Sequence, residues 1–242
     1  EHRQTHALQN AGRPSCTAVR GTAEVKLRLV GHGDGASAVA QMRHKHGAAL
    51  PILNIGGGFG VRYTEADPYI DIDDTLKLVG AHMHAICEET NYPMPQILME
   101  PGRSLVADAG MTLYTVGSVK EIEGYKNYVS VDGGMADNPR FALYEAPYSA
   151  EIATRMNEQK NYIATIAGRC CESGDVIQEN VTMPKPSRGD ILAVLTTGAY
   201  NYSMASNYNR IPRPPIVIVK DGDDRLSVRR ESFEDLIKNE VL

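Results

Sequence analysis

A cluster of four glycines among five residues, directly after a short apolar segment, constrains this chain more than any other feature. Residues 52–60 read ILNIGGGFG. An apolar run bounded by turn residues is typical of a strand covered on both faces, as in a parallel sheet or barrel. Because Gly56, Gly57, Gly58 and Gly60 have no Cβ, their N–H groups can converge on an anion, most commonly a phosphate. A plain tight turn is the alternative interpretation.

Composition limits the classes of protein that the chain can belong to. Its 242 residues, 42% of them hydrophobic, suffice for one large domain or two ordinary ones. The sequence shows neither a membrane-spanning apolar run nor a signal-peptide pattern, so we expect a cytoplasmic protein without membrane contact. The net charge of −5 gives no reason to expect nucleic acid. The four cysteines show no metal-ligand spacing and no disulfide framework, so we expect reduced thiols and no metal.

Residues 1–48 differ from the rest of the chain. They hold five of the seven histidines and a net charge of +4, a break in composition that marks a boundary. We interpret them as an atypical leader with no assigned function. The GHGDG segment at residues 31–35 is more typical of a plain loop than of a metal or phosphate site.

The pattern of residues 49–111 predicts an α/β unit. The glycine loop is followed by a helix, on which Leu76, Val79, Met83 and Ile86 share one face, and then by a second buried strand over residues 96–100. This order predicts two consecutive strands of an α/β barrel or doubly wound sheet, with both loops at the carboxyl ends of the strands, where such folds place their sites.

The pattern of residues 112–242 predicts a second, mostly-β domain. It contains several strand-like segments and a hairpin that turns at residues 221–224. Ser232 and Asp235 form a capping-box pattern that predicts a short terminal helix.

Two pairs of side chains are candidates for a functional role. Glu100 and Arg103, in the segment EPGR, are fixed by Pro101 and Gly102 at the end of a strand. The arginine would hold a phosphate or carboxylate, or simply form a surface ion pair. On a helical turn, an arginine at position 140 and a tyrosine four residues later would share a face, although their spacing alone favours a solvated arginine over a packed tyrosine.

Two further loops carry groups for proton transfer and hydrogen bonding. Cys171 and Glu172 lie in the glycine-flanked segment GRCCESGD and offer a proton donor and an ammonium acceptor, although inert thiols are commoner. Tyr200 ends the segment TTGAY and could bind a phosphate while stacking on a ring.

Taken together, these segments carry a family resemblance. IGGGFG, EPGRS, NPR with ALY, CCESGD, LTTGAY and SMASNYN follow the order and approximate spacing of the C-terminal half of the diaminopimelate decarboxylases, pyridoxal-phosphate enzymes of the alanine-racemase-like barrel family. The resemblance covers residues 47–242. It implies the last strands of a cofactor-binding (β/α)8 barrel followed by a C-terminal β-domain.

The resemblance also implies roles for individual residues. The glycine loop would cradle the phosphate of pyridoxal 5'-phosphate, with Glu100 paired to its ring nitrogen. Cys171 would donate a proton to the carbon that loses carbon dioxide, and its loop would reach the site of the partner subunit in a homodimer. The positions that match substrate contacts are Arg103, Arg140, Tyr144, Glu172 and Tyr200, of which Tyr200 also contacts the cofactor.

The expected reaction converts meso-2,6-diaminopimelate to L-lysine, because Arg140 and Glu172 would match a far end that carries both a carboxylate and an amine. A decarboxylase of ornithine, arginine or carboxynorspermidine, and a non-catalytic truncated module, are the alternatives.

The family's cofactor-binding lysine lies on the first barrel strand, more than a hundred residues before the glycine loop. Lys26 does not fit its spacing. We therefore interpret the chain as an incomplete form, preceded by an unrelated or frame-shifted leader, and expect it to be inactive alone.

Overall fold

A computed structural model describes residue 49 and residues 51–241. The predictions for residues 1–48, including the GHGDG segment and Lys26, lie outside the described residues. The chain divides into two compact units with a boundary between Val106 and Ala107, and each unit is described by itself.

The first unit contains two short parallel strands and the helix that connects them. Strand β1 (Ile52–Asn54) pairs with β2 (Gln96–Leu98) in the register Ile52↔Gln96. Helix α1 (Ile72–Glu89) joins the strands, and a four-residue helix α2 (Arg103–Val106) follows β2. The parallel pairing confirms the prediction of adjacent α/β strands whose carboxyl-end loops meet.

Helix α1 forms for the reasons that the sequence suggests. Its N-cap Asp71 accepts a hydrogen bond from the Asp74 N–H at 3.0 Å, which satisfies an otherwise unpaired amide of the first turn. The helix buries Met83 and Cys87 against a small core. That core also contains Leu53, Ile55 and Tyr92, with Ala49, Val79 and Ile97 at its margin.

The second unit is built on a six-stranded sheet. Its strands are β3 (Met111–Glu121), β4 (Asn127–Val131), β5 (Ala150–Ile152), β6 (Tyr162–Ala167), β7 (Val176–Met183) and β8 (Ile191–Leu195). Their order in the sheet is β5-β8-β3-β4-β6-β7. All neighbours are antiparallel except β4 and β6, which are parallel. The sheet confirms the predicted C-terminal β-domain.

The sheet core consists mainly of branched aliphatic side chains. Val116, Val129, Ile152, Ile166 and Leu192 are among the largest fully buried side chains. Burying a side chain of this size contributes about 1.5–3 kcal/mol to stability. This core fixes the sheet from which the polar loops extend.

The second unit also contains two short α-helices, α3 (Arg140–Tyr144) and α4 (Asn201–Met204), two 3-10 turns (Ala153–Arg155 and Tyr208–Arg210) and a C-terminal segment. In that segment β9 (Ile216–Lys220) and β10 (Asp223–Val228) form the predicted antiparallel hairpin. Helix α5 (Phe233–Ile237) begins with a complete capping box between Ser232 and Asp235, as predicted.

The described residues show neither a membrane-spanning helix nor a cluster of metal ligands. No helix among them has both the length and the apolar character that crossing a membrane requires. No group of three or more His, Cys, Asp or Glu side chains within the described ranges could hold a metal ion.

Candidate functional site

In the first unit, Asn54 connects the glycine loop to Glu100. Asn54 Nδ2 donates to Glu100 Oε1 at 2.5 Å, and the Gly56 N–H donates to Asn54 Oδ1 at 2.8 Å. The Glu100 N–H in turn donates to the Gly56 carbonyl at 2.9 Å. Asn54 is only 5% exposed. The parallel strands thus place the predicted phosphate loop and the predicted carboxylate side by side.

The glycine loop passes too close to Glu100 for a side chain. A Cβ on Gly57 would lie 2.3 Å from the Glu100 carbonyl oxygen, and Gly56 and Gly58 have left-handed φ values of 73° and 77°. Within the described part of the chain, no backbone hydrogen bond uses the N–H groups of Gly57, Gly58 or Gly60. The Gly56 N–H is already used by Asn54, so the phosphate role predicted for the loop depends on the N–H groups of Gly57, Gly58 and Gly60.

Arg103 is held by an aromatic residue that sequence reasoning missed. Its Nη1 donates to the Tyr63 hydroxyl, and its Cζ lies 5.7 Å from the centroid of the Tyr63 ring. Tyr63 is buried. Pro101 and Gly102 separate Arg103 from Glu100 in the turn that begins α2. A guanidinium supported by a ring in this way keeps a defined orientation toward a carboxylate or phosphate.

In the second unit, the buried carboxylate of Asp175 joins two of the predicted loops. It accepts hydrogen bonds from the Met135 N–H and the Cys170 N–H, both at 2.6 Å. A Cβ on Gly134 or Gly168 would lie within 2.4 Å of this carboxylate. Asp175 therefore fastens the loop that carries Cys171 and Glu172 to the loop that precedes Arg140.

The two adjacent cysteines have different surroundings. Burial, followed by the charge of Asp175, raises the pKa of the Cys170 thiol to about 11, so Cys170 stays protonated at neutral pH. The Cys171 side chain is exposed, and its N–H donates to Asn209 Oδ1 at 2.6 Å. Of the two thiols, Cys171 is therefore the solvent-accessible one. Its neighbour Glu172 is also exposed.

Arg140 and Tyr144 both lie on the helix α3. The packed aromatic ring beside Arg140 is nevertheless Tyr148, whose centroid lies 5.7 Å from Arg140 Cζ. Tyr144 is 56% exposed, so the alternative interpretation of a solvated arginine over a packed Tyr144 is wrong. The exposed phenol of Tyr144 remains available for a ligand.

Tyr200 occupies an unusual backbone conformation. Its φ of 72° and ψ of −22° lie in the left-handed region, which costs about 1–3 kcal/mol for a residue other than glycine. The side chain is 47% exposed. Such local strain is often kept where it aims a side chain at a functional site.

The predicted site residues thus lie in two groups. The first group, in the first unit, contains the glycine loop, Glu100 and Arg103. The loops that carry the other predicted residues are joined in the second unit. Because the groups belong to different units, the predicted convergence of Tyr200 with the glycine loop stays a prediction. The supporting residues that the sequence did not reveal are Asn54, Tyr63, Asn138, Tyr148, Asp175, Asn201 and Asn209.

Comparison with known proteins gives consistent results. Residues 28–198 match a family model described as the C-terminal sheet domain of pyridoxal-dependent decarboxylases. Diaminopimelate decarboxylase of Halalkalibacterium halodurans is 52% identical over 196 residues, which are 81% of this chain and 45% of that relative. The Bacillus subtilis protein of the same name is 48% identical over 82% of this chain and 45% of its own length.

A solved structure extends the likeness to the fold. Diaminopimelate decarboxylase from M. jannaschii in complex with L-lysine has a TM-score of 0.76 and 33% sequence identity. The match covers 84% of this chain and 46% of that one. The chain therefore spans less than half the length of these relatives.

Proposed function

Because the chain belongs to the pyridoxal-dependent decarboxylases that carry the C-terminal sheet domain, we propose that it forms the C-terminal part of a decarboxylase converting meso-2,6-diaminopimelate to L-lysine. The observation that carries the proposal is the Asn54–Glu100 hydrogen bond beside the glycine loop, since it supplies a fixed carboxylate next to an anion cradle. The names of the relatives support the choice of substrate.

The residues of the first unit would hold pyridoxal 5'-phosphate. The N–H groups of Gly57, Gly58 and Gly60 would bind its phosphate, and Arg103 would add a positive charge. Glu100, with one oxygen fixed by Asn54, would bind the protonated ring nitrogen through the other. When bound, the cofactor supplies a ring that accepts the electron pair left by departing carbon dioxide.

The residues of the second unit would handle the substrate. Arg140 would bind the far-end carboxylate, and Glu172 the far-end ammonium. Tyr144 and Tyr200 would donate hydrogen bonds from their exposed hydroxyl groups. The Cys171 thiol would deliver its Sγ proton to the carbon that lost the carboxylate.

We also propose the arrangement of the whole protein. Residues 49–111 would complete a cofactor-binding barrel, and residues 112–242 would form its C-terminal β-domain. A cytoplasmic homodimer would place the exposed Cys171–Glu172 segment in the partner's site. The exposure of both side chains supports this arrangement.

The test uses a completed enzyme in which residues 47–242 follow the part of the H. halodurans relative that precedes its matched region. Carbon dioxide release is measured with meso-diaminopimelate, ornithine, arginine and carboxynorspermidine. We expect meso-diaminopimelate to be preferred by at least about 10²-fold in kcat/KM, because a site built to bind a charged group rejects substrates that lack it. Faster turnover of ornithine or arginine would refute the proposal. The 242-residue chain serves as the control that should lack activity.

A further inference from the structure

A buried amide pair joins the two loops that carry Arg140 and Tyr200. Asn201 Nδ2 donates to Asn138 Oδ1 at 2.8 Å. Asn138 is fully buried and Asn201 is 7% exposed. Asn138 lies two residues before Arg140, and Asn201 directly follows Tyr200. This hydrogen bond, between side chains 63 positions apart, joins the two loops together with the bond from the Ser206 N–H to the Ala136 carbonyl at 2.8 Å.

The same pair supports the guanidinium of Arg140. The Tyr148 hydroxyl donates to Asn201 Oδ1 at 3.2 Å, and the Arg140 guanidinium lies 5.7 Å from the Tyr148 ring centroid. Tyr148 is 4% exposed. Because the hydroxyl fixes the ring plane, any displacement of Asn201 would also move the surface on which Arg140 rests.

On the Tyr200 side, the loop is fixed from both directions. The Thr197 N–H and the Gly198 N–H donate to the carbonyls of Gly110 and Ala107, each at 2.9 Å. Asn201 fixes the other side through Asn138. Tyr200 lies between these anchors in its left-handed conformation. Loss of the Asn201 anchor would remove one of the restraints on this strained backbone.

We propose that Asn138 and Asn201 are positioning residues that set the separation between Arg140 and Tyr200 and thereby the fit of the substrate between them. The inference rests on the proposed function for the identity of the substrate. The physical basis is that a displaced binding group loses part of its interaction with the bound substrate, which raises KM and leaves kcat unchanged when the loss is equal in the ground state and the transition state.

The first experiment measures the side chains directly in the 242-residue chain by nuclear magnetic resonance. Asn138→Leu removes the acceptor at similar volume, and Tyr148→Phe removes only the hydroxyl while keeping the ring. We expect both variants to shift the Arg140 Nε–H signal and to increase the mobility of that group. We also expect hydrogen exchange of the Asn201 side-chain amide to become faster by about 10-fold or more. Asn127→Ala, which removes the Asn127 Nδ2 bond to the Ile163 carbonyl, is the matched control and should leave both signals unchanged.

The second experiment measures kinetics in the completed enzyme. We expect Asn138→Leu and Tyr148→Phe to raise KM for meso-diaminopimelate by about 10-fold while changing kcat by less than about 3-fold. A purely stabilising role would instead reduce the amount of active enzyme, which lowers apparent kcat and leaves KM unchanged. Tyr148→Phe keeps the test decisive if Asn138→Leu fails to fold.

The two experiments separate this inference from the proposed function. Absence of meso-diaminopimelate turnover in the parent enzyme would refute the proposed function, and the resonance measurements would then decide the positioning role. An unchanged Arg140 signal in Tyr148→Phe, or an unchanged KM in an active enzyme, would overturn the inference.

Discussion

Asn54 and Glu100, which are 46 positions apart, share a hydrogen bond of 2.5 Å that fixes one oxygen of the carboxylate. The asparagine uses its donor for Glu100 and its acceptor for the Gly56 N–H. One buried amide therefore sets both the orientation of the proposed ring-nitrogen partner and the start of the proposed phosphate loop.

Replacing Asn54 should weaken cofactor binding. Asn54→Ala removes the two hydrogen bonds that orient Glu100 and the start of the glycine loop, so both proposed cofactor contacts lose their fixed geometry and we expect at least about 10-fold weaker binding of pyridoxal phosphate in the completed enzyme. Equilibrium dialysis followed by absorbance measures this affinity. Asn54→Asp keeps the acceptor but places two carboxylates together, which raises the pKa of one. Its defect should therefore diminish as pH falls, and a pH-independent defect would contradict this explanation.

Gly57 and Gly80 provide a matched pair for the close approach of the loop. A Cβ on Gly57 would lie 2.3 Å from the Glu100 carbonyl, whereas a Cβ on Gly80 in α1 meets no atom within 4 Å. Gly57→Ala should lower the free energy of unfolding by about 1–3 kcal/mol. Gly80→Ala should raise it by about 0.5–1 kcal/mol. Urea denaturation of the 242-residue chain compares them, and equal effects would show that the loop does not pack against Glu100.

Removing the guanidinium of Arg140 should impair turnover of meso-diaminopimelate selectively. We expect Arg140→Ala to lower kcat/KM for this substrate by about 10²-fold, because a desolvated carboxylate would lose its charged partner. Arg140→Lys should recover only part of this loss, since an ammonium lacks the planar fork of a guanidinium. The exposed Arg188 gives the control: Arg188→Ala makes the same charge change and should have little effect.

The two neighbouring thiols should differ in reactivity toward iodoacetamide. A Cys170 pKa of about 11 leaves only about 10⁻³ of its thiol ionised at pH 8. The exposed Cys171 should therefore be alkylated first in the 242-residue chain. Labelling of Cys170 should increase as pH rises toward 11, which tandem mass spectrometry of the shared peptide measures. Cys171→Ser provides the control, and equal labelling of both thiols near neutral pH would contradict the structure.

Neutralising Asp175 should loosen the Cys171 loop. Asp175→Asn cannot accept both amide hydrogens equally and should destabilise the second unit by about 2–3 kcal/mol. Hydrogen exchange at the Met135 and Cys170 amides should rise together. Asp132 accepts one amide hydrogen from Thr115 at 2.8 Å on the surface, so Asp132→Asn should have a much smaller effect. Unchanged exchange in Asp175→Asn would show that this carboxylate does not hold the loop.

Local signals predicted much of this fold. The N-cap of α1, the capping box of α5 and the turn between β9 and β10 each depend on residues within a few positions of one another. The parallel pairing of β4 with β6 could not be predicted in the same way. The two strands are not consecutive, and their pairing depends on how the whole sheet closes.

The candidate site likewise contains residues that local sequence identifies and residues that only the folded chain identifies. The glycine loop, Glu100 and Arg103 were recognisable because each ends an apolar strand. Asn54 and Asp175 were missed because a short polar residue near glycine is usually interpreted as part of a turn. Their partners, Glu100 in one case and Met135 in the other, lie about 40 positions or more away in the sequence, so only the folded topology identifies them.

The position of β8 between β5 and β3 has a consequence for the order in which the second unit assembles. Strand β3 can form its hairpin with β4 early. Its other edge stays unpaired until β8 is available, because the two strands pair in the register Met111↔Leu195. Closing so long a loop before any contact forms is entropically costly, and sheets rich in such distant pairings fold on the order of milliseconds to seconds. During synthesis, β5 likewise has no partner strand until Ile191–Leu195 leaves the ribosome, so one edge of β3 and the whole of β5 stay unpaired until late in translation.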